Sequence, residues 1–174
     1  MKIHHFQNVD CAIETMYEFI DEFRSSPGRL SSFIMIFDED LSFDEFERKF
    51  WSILGEMNVK DKRKYAHDSR VSSDPTSPQF SFSMKSEAFF ILALHPDSPR
   101  MARRFKKAAI VFNPHQQFET LRAKNLFTKI RNLIRKRDEM LQGFINPMLN
   151  DFGERSEIYQ YTGKVYSQYE QLSI

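Results

Sequence analysis

Between Asp10 and Phe23 apolar residues return at helical spacing, at Ile13, Tyr17, Ile20 and Phe23, and the stretch RSSPGR at 24–29 then stops them. The pattern predicts a helix followed by a loop. Residues 32–37, SFIMIF, form a short apolar run in front of a string of acids, as a buried strand does. Ser42 and Glu45 stand at capping-box spacing. Phe43, Phe46, Phe50, Ile53 or Leu54, and Met57 continue along one face to about Val59, so a second helix is predicted there. Residues 60–78 are polar and end in VSSDPTSP, which reads as one long loop.

From Gln79 to Met84, Phe80, Phe82 and Met84 alternate with Gln79, Ser81 and Ser83, the period of a half-buried strand. Lys85–Glu87 supplies a turn and Ala88–Leu94 returns as a fully apolar strand, giving a hairpin. Asp97 or Ser98 is placed to cap a short helix with Pro99 in its first turn, carrying Arg100, Arg103 and Arg104. Lys107–Phe112 is a further strand, after which Asn113 caps and Pro114 opens a helix to about Ala123. Leu126–Leu141 reads as a basic amphipathic helix with Leu126, Ile130, Leu133 or Ile134, and Leu141 inward; it bears Arg131, Arg135, Lys136 and Arg137, and Gly143 is placed to stop it. Residues 144–163 are dense in turn-formers, and a last short helix or strand is expected over 164–172. Helices alternate irregularly with antiparallel-looking strands. This argues for an α+β fold, a single domain over residues 1–174 with an antiparallel sheet of about four strands packed with helices.

The chain of 174 residues is long enough for a sizeable core and short for two domains. Its 25 basic and 24 acidic residues leave no global field to hold nucleic acid or an anionic membrane, so any basic site must be local. The single cysteine, Cys11, has no partner for an internal disulfide, and no Cys/His spacing resembles a zinc site, which suits a reducing cytoplasm. No segment approaches the ~20 apolar residues of a membrane span. GxSxG, HExxH and a phosphate-binding glycine loop are all missing, which removes the common hydrolase and nucleotide readings. Phenylalanine is abundant at 18 residues, enough to fill a core and also to line a slot for a flat apolar ligand.

His95 and His115 each end an apolar run, in AFFILALHPD and AAIVFNPH, where a scaffold strand can deliver a side chain to a cleft. Imidazole titrates near neutrality and is the commonest metal ligand, although a histidine at a strand end is as often a hydrogen-bonded packing residue. His4, His5 and His67 are expected to be solvated.

The series HPDSPRMARRF, VFNPHQQFETLR and IRKRDEMLQGFINPMLNDFGERSEIYQYTG is long and specific. Through it the chain, from about Phe50 to Tyr166, resembles the YqcI/YcgG family, and within it the branch of heme-dependent guanidino N-hydroxylases of the pre-guanitoxin type. Longer members begin with an extra segment containing Phe-Pro-Cys, which Cys11 does not match, so the N-terminal wall of a site is expected to be missing. The resemblance implies heme b as cofactor and O2-dependent N-hydroxylation of a guanidino or amine compound, with a non-enzymatic heme or small-molecule binding protein as the alternative. Its partners would be that small molecule and an external electron donor, not nucleic acid or a membrane, and a homodimer is left open.

On that reading His95, rigidly placed before Pro96, is the first choice of axial iron ligand and His115, near a helix N-terminus that favours neutral imidazole, the second. Arg100, Arg103 and Arg104 would meet heme propionates or an acidic substrate group, or else form a solvated basic face. Glu119, Asp138 and Glu157 are the acids able to bind a guanidinium. Asn113, Gln117, Asn146 and Gln160 would hydrogen-bond an iron-bound dioxygen or order the loops.

Overall fold

The computed structural model describes residues 1–145, 150–165 and 174. Five strands form one sheet in the order β1-β2-β5-β4-β3: β1 Lys2–His5, β2 Phe33–Ile36, β3 Phe82–Met84, β4 Glu87–Leu94 and β5 Ala109–Pro114. Among these five strands only the β1–β2 pair is parallel. The expected α+β fold is present, with one strand more than the pattern predicted. That strand, KIHH, is a polar edge strand with alternating exposure, and its Lys2 Nζ reaches Glu18 and Glu22 at 3.0 and 2.7 Å.

One face of the sheet carries the core. Helix α1, Val9–Arg24, is started by Asn8, whose side chain accepts the Cys11 N–H at 2.9 Å, and it buries Ala12, Ile13, Met16, Phe19 and Ile20. Helix α2, Phe43–Asp61, has the full Ser42/Glu45 capping box and buries Phe46, Phe50, Ile53, Leu54 and Met57. Phe33 and Met35 of β2, Ile110 and Phe112 of β5, and Phe89 and Ile91 of β4 complete this layer. The register places Phe33 opposite Phe112 and Phe112 opposite Ile91, so these side chains line up across three strands on one face.

The β3–β4 hairpin closes on Lys85 and Ser86, both left-handed (φ 49° and 56°). Two such residues are what a two-residue turn matching strand twist requires, and neither is glycine. The turn is held from outside: Arg24 donates to both carbonyls at 2.8 and 3.1 Å, and the Lys85 N–H donates to buried Asp61 at 2.9 Å.

Helices α3, His115–Ala123, and α4, Phe127–Gln142, cover the opposite face together with a 3-10 turn, Glu157–Gln160, tied to β4 where the Ala93 N–H donates to Tyr161 O at 2.7 Å. Here three sequence expectations need correction. Asn113 does not cap α3; it lies in β5, accepting from Ser32 Oγ at 2.7 Å and donating to Phe90 O at 3.4 Å. The arginine-bearing segment is a 3-10 turn, Met101–Arg103, rather than a helix. In α4, Leu126, Leu133, Ile134 and Leu141 are exposed, and the one buried residue is Asp138. The helix docks through its polar edge, so its apolar periodicity does not mark its inner face. Gly143 does end it, at φ 82°. The element expected over 164–172, and Asn146, lie outside the described residues except for Lys164 and Val165. Among the described residues no helix is long and apolar enough to cross a membrane.

Candidate functional site

Strand β4 is paired antiparallel to β5, with Leu94 opposite Ala109 and Phe89 opposite Pro114. His95 and His115 therefore lie at opposite ends of that pair, some seven residues or about 23 Å apart along the strands. They cannot serve one centre.

His95 is 2% exposed and spends both ring nitrogens inside the protein: Nε2 lies 2.9 Å from Leu41 O and Nδ1 accepts the Asp97 N–H at 3.0 Å. Its ring stacks on Phe46 and meets Phe43 edge-on, both at 5.5 Å. Contact with a metal would break one of those bonds in a buried site. The arginines expected to serve a cofactor are likewise committed. Arg100, 4% exposed, is ion-paired with Asp138. Arg103 donates to Tyr161 O and Gln160 O at 3.3 and 3.0 Å, and Arg104 Nε to Ser98 O at 3.0 Å. Burial, with Arg100 adding to it, pulls the Arg103 guanidinium down to about 10, so it stays charged at neutral pH. Arg100 thus ties the Met101–Arg103 turn to α4, and Arg103 ties it to the Glu157–Gln160 turn.

The other end of the strands is different. A slot of about 220 Å³ opens between α3, α4 and the sheet. Phe90, Phe118, Leu121, Phe127, Ile130, Ile134 and Phe152 wall it, with His115, Glu157 and Gln160 also on its surface. His115 meets Phe118 and Phe152 edge-on at 6.0 and 5.3 Å. Its Nε2 stands 3.0 Å from Ser81 Oγ and 3.1 Å from Glu157 Oε2, and Ser81 Oγ is 2.8 Å from the same carboxylate oxygen.

Ionised Glu157 only accepts, and Ser81 has one hydrogen, for which Glu157 at 2.8 Å competes with Phe89 O at 3.1 Å. A proton on His115 Nε2 can be donated to Glu157 Oε2 or Ser81 Oγ, and in the neutral tautomer that carries it Nδ1 keeps its lone pair. Among the described residues neither His115 Nδ1 nor Glu157 Oε1 has a hydrogen bond. A carboxylate behind an imidazole is the arrangement that orients a metal-ligating or proton-accepting histidine. It is not a serine nucleophile's triad, since Ser81 is wholly buried.

Cations stand at the rim. Arg131 and Arg135 reach Asp151 at 2.5 and 3.2 Å, and Arg122 lies 4.3 Å over the Phe127 ring while pairing with Glu119. Except for Arg135 these residues, with Asn125 and Thr128, also line an adjoining polar recess of about 640 Å³. Of the residues singled out from sequence, His115, Glu157 and Gln160 thus meet in the slot and Glu119 joins them at its edge. Gln117 instead accepts the Ser31 N–H at 3.2 Å, and Asn113, Asp138, His95 and the three arginines of residues 100–104 lie elsewhere. Ser81, Arg122, Arg131, Arg135 and Asp151 went unassigned, although the alternation of Gln79–Met84 already put Ser81 on the face away from Phe80 and Phe82. His4 and His67 are half-buried rather than solvated, and burial lowers both from the usual imidazole value.

A model of the YqcI/YcgG family matches residues 2–171. The chain belongs to the YqcI/YcgG family. This family member is 30% identical over 135 residues to the "Uncharacterized protein YcgG" of Bacillus subtilis (strain 168), an alignment covering 72% of this chain and 53% of the relative. The chain therefore spans about half the length of the curated relative it matches. No solved structure matches this YqcI/YcgG protein.

Proposed function

We propose that the slot at His115 is the seat of a heme b and that the protein is an O2-dependent N-hydroxylase of a guanidino or amine compound. The observation that carries the reading is the Ser81–His115–Glu157 triangle at the base of an aromatic-walled slot: an imidazole held by a carboxylate, with Nδ1 free of hydrogen bonds among the described residues. In kind the residues suit the group. His115 would hold the iron, Phe118, Phe127 and Phe152 would face the macrocycle, and Arg122, Arg131 and Arg135 would meet its carboxylates. In size, about 220 Å³ is below the roughly 300–1,000 Å³ of most ligand pockets, so a porphyrin requires α4 to stand further from the sheet. Such a shift would work against the buried Arg100–Asp138 pair and the Gln142 contact that hold α4.

Heme, when bound, would supply the activation of O2, one atom of which enters the N–H bond while the other leaves as water at the expense of an external reductant. The protein's own part is to bind and orient. Glu157 Oε1 can accept N–H bonds from a cationic substrate while Oε2 holds His115, and the aromatic wall keeps water away from the reacting nitrogen.

The test is turnover. With hemin, a reductant and O2, a free guanidino compound, arginine first, should yield a product heavier by one oxygen in mass spectrometry. Glu157→Gln should depress substrate consumption far more than hemin retention. A hemin-loaded protein that consumes no guanidine or amine would leave a non-catalytic heme-binding protein.

A further inference from the structure

Four buried side-chain polar atoms lack a hydrogen-bond partner among the described residues, and of these Arg131 Nε alone belongs to a residue lining the slot. A guanidinium N–H out of contact with water and without an acceptor is costly, and native proteins rarely leave one. Arg131 Nη1 is already on Asp151 at 2.5 Å, and no hydrogen bond to Nη2 occurs among the described residues. Asp151 thus takes one edge of the guanidinium. The other edge, Nε–H with Nη2–H, is the two-pronged donor that matches the paired oxygens of a carboxylate.

Arg131 shares the rim with two further guanidinium groups, Arg122 and Arg135, which pair with Glu119 and Asp151; Glu157, the other acid of the slot, is held through Oε2 by His115 and Ser81. Arg131 lines both the apolar slot and the polar recess, so an acid held there would lay its body against Phe118 and Phe127. We propose that the slot binds an apolar molecule by its carboxylate, with Arg131 as the residue that reads the acid. The carboxylate has two sources, a free small apolar acid or a propionate of heme. The inference rests on the slot as a ligand site and not on heme.

Titration calorimetry on protein purified without heme separates the two sources. The first arm compares 3-phenylpropionate with the neutral 3-phenylpropanamide; the second compares hemin with its dimethyl ester. In at least one arm the acid should bind about tenfold or more tightly than its neutral counterpart, the scale of one charge-assisted hydrogen bond. Arg131→Gln should erase that difference and Arg131→Lys should restore it only in part. Asp151→Asn should strengthen acid binding, which also covers the case in which the Arg131 variants fold poorly. A preference in the first arm assigns the subsite to free acids, and one confined to the second assigns it to propionate. If neither acid outbinds its neutral form, or if Arg131→Gln leaves the preference intact, the proposal is overturned. The heme reading, resting on His115, is untouched by that result.

Discussion

Asp138→Ala should be the most damaging single change on the slot side of the sheet, and the structure supplies the size of the effect. Arg100 and Asp138 are 4% and 7% exposed and are paired with each other, while the Arg100 guanidinium also lies 5.3 Å from the Phe144 ring. Removing the acid leaves a buried cation without its counter-charge, which costs about 3–5 kcal/mol. For a chain of this length each kcal/mol lowers the melting temperature by roughly 2–4 °C, so a fall of roughly 6–20 °C is expected. Asp138 is also the one buried residue of α4, whose remaining dock includes Gln142 accepting the Met101 N–H at 2.9 Å. The change should therefore loosen ligand binding in the slot, because α4 carries Phe127, Ile130 and Arg131 into it. Circular dichroism melts of Asp138→Leu, Arg100→Met and the double variant Arg100→Met/Asp138→Leu form a cycle, with Asp138→Ala measured beside it. The double variant should lie close to the parent, since well-packed apolar replacements of buried pairs are often neutral. A single variant losing less than about 1 kcal/mol, or a double variant as unstable as the two singles added, would refute the reasoning.

Two further outcomes follow from buried and exposed side chains. Burial raises Asp61 above the usual carboxylate value, despite the Lys85 N–H and Tyr17 O–H it accepts. Its contribution is thus fully present below that usual value and lost as pH rises through the raised one. Asp61→Asn keeps Oδ1 as acceptor for both donors and never ionises, so in urea unfolding its stability relative to the parent should grow as pH rises from about 4; a constant gap would count against this. Leu133→Ser and Leu141→Ser should leave the melting temperature within the small range of surface changes, about ±0.5 kcal/mol, whereas an inward leucine would lose about 2–5 kcal/mol.

The sequence displayed the core layer well because that layer obeys simple periodicity. Ile13 and Ile20 in α1, and Phe46, Phe50 and Met57 in α2, are apolar at helical spacing and all are buried. The hairpin was legible too, although its first strand covers only Phe82–Met84 and its turn is the two residues Lys85 and Ser86, with Glu87 already paired in β4. Helix α4 was not, because its inner edge is built from Asp138 and Gln142 reaching polar groups that sequence spacing does not display. The same limit applied to the site. His95 and His115 occupy equivalent positions in the pattern, each at the end of an apolar strand. What separates them is three-dimensional: His95 finds Leu41 O, 54 residues away, while His115 finds Glu157, 42 residues away, beside a cavity. Arg100 and Asp138, both attractive as site residues in sequence, neutralise each other across 38 residues. Composition and motif could nominate these groups but could not pair them.

The central claim is that His115, and not His95, is the chemically active histidine. Titrating hemin into the parent protein and into His115→Ala and His95→Ala, followed by absorption, tests it most directly. The parent should give a saturable Soret band, His115→Ala should weaken or shift it, and His95→Ala should keep its position while lowering only thermal stability, since His95 packs against Phe46 with both nitrogens bonded. A band that survives in His115→Ala and changes in His95→Ala would contradict the assignment, and the absence of any saturable spectrum in the parent would remove heme from the slot altogether.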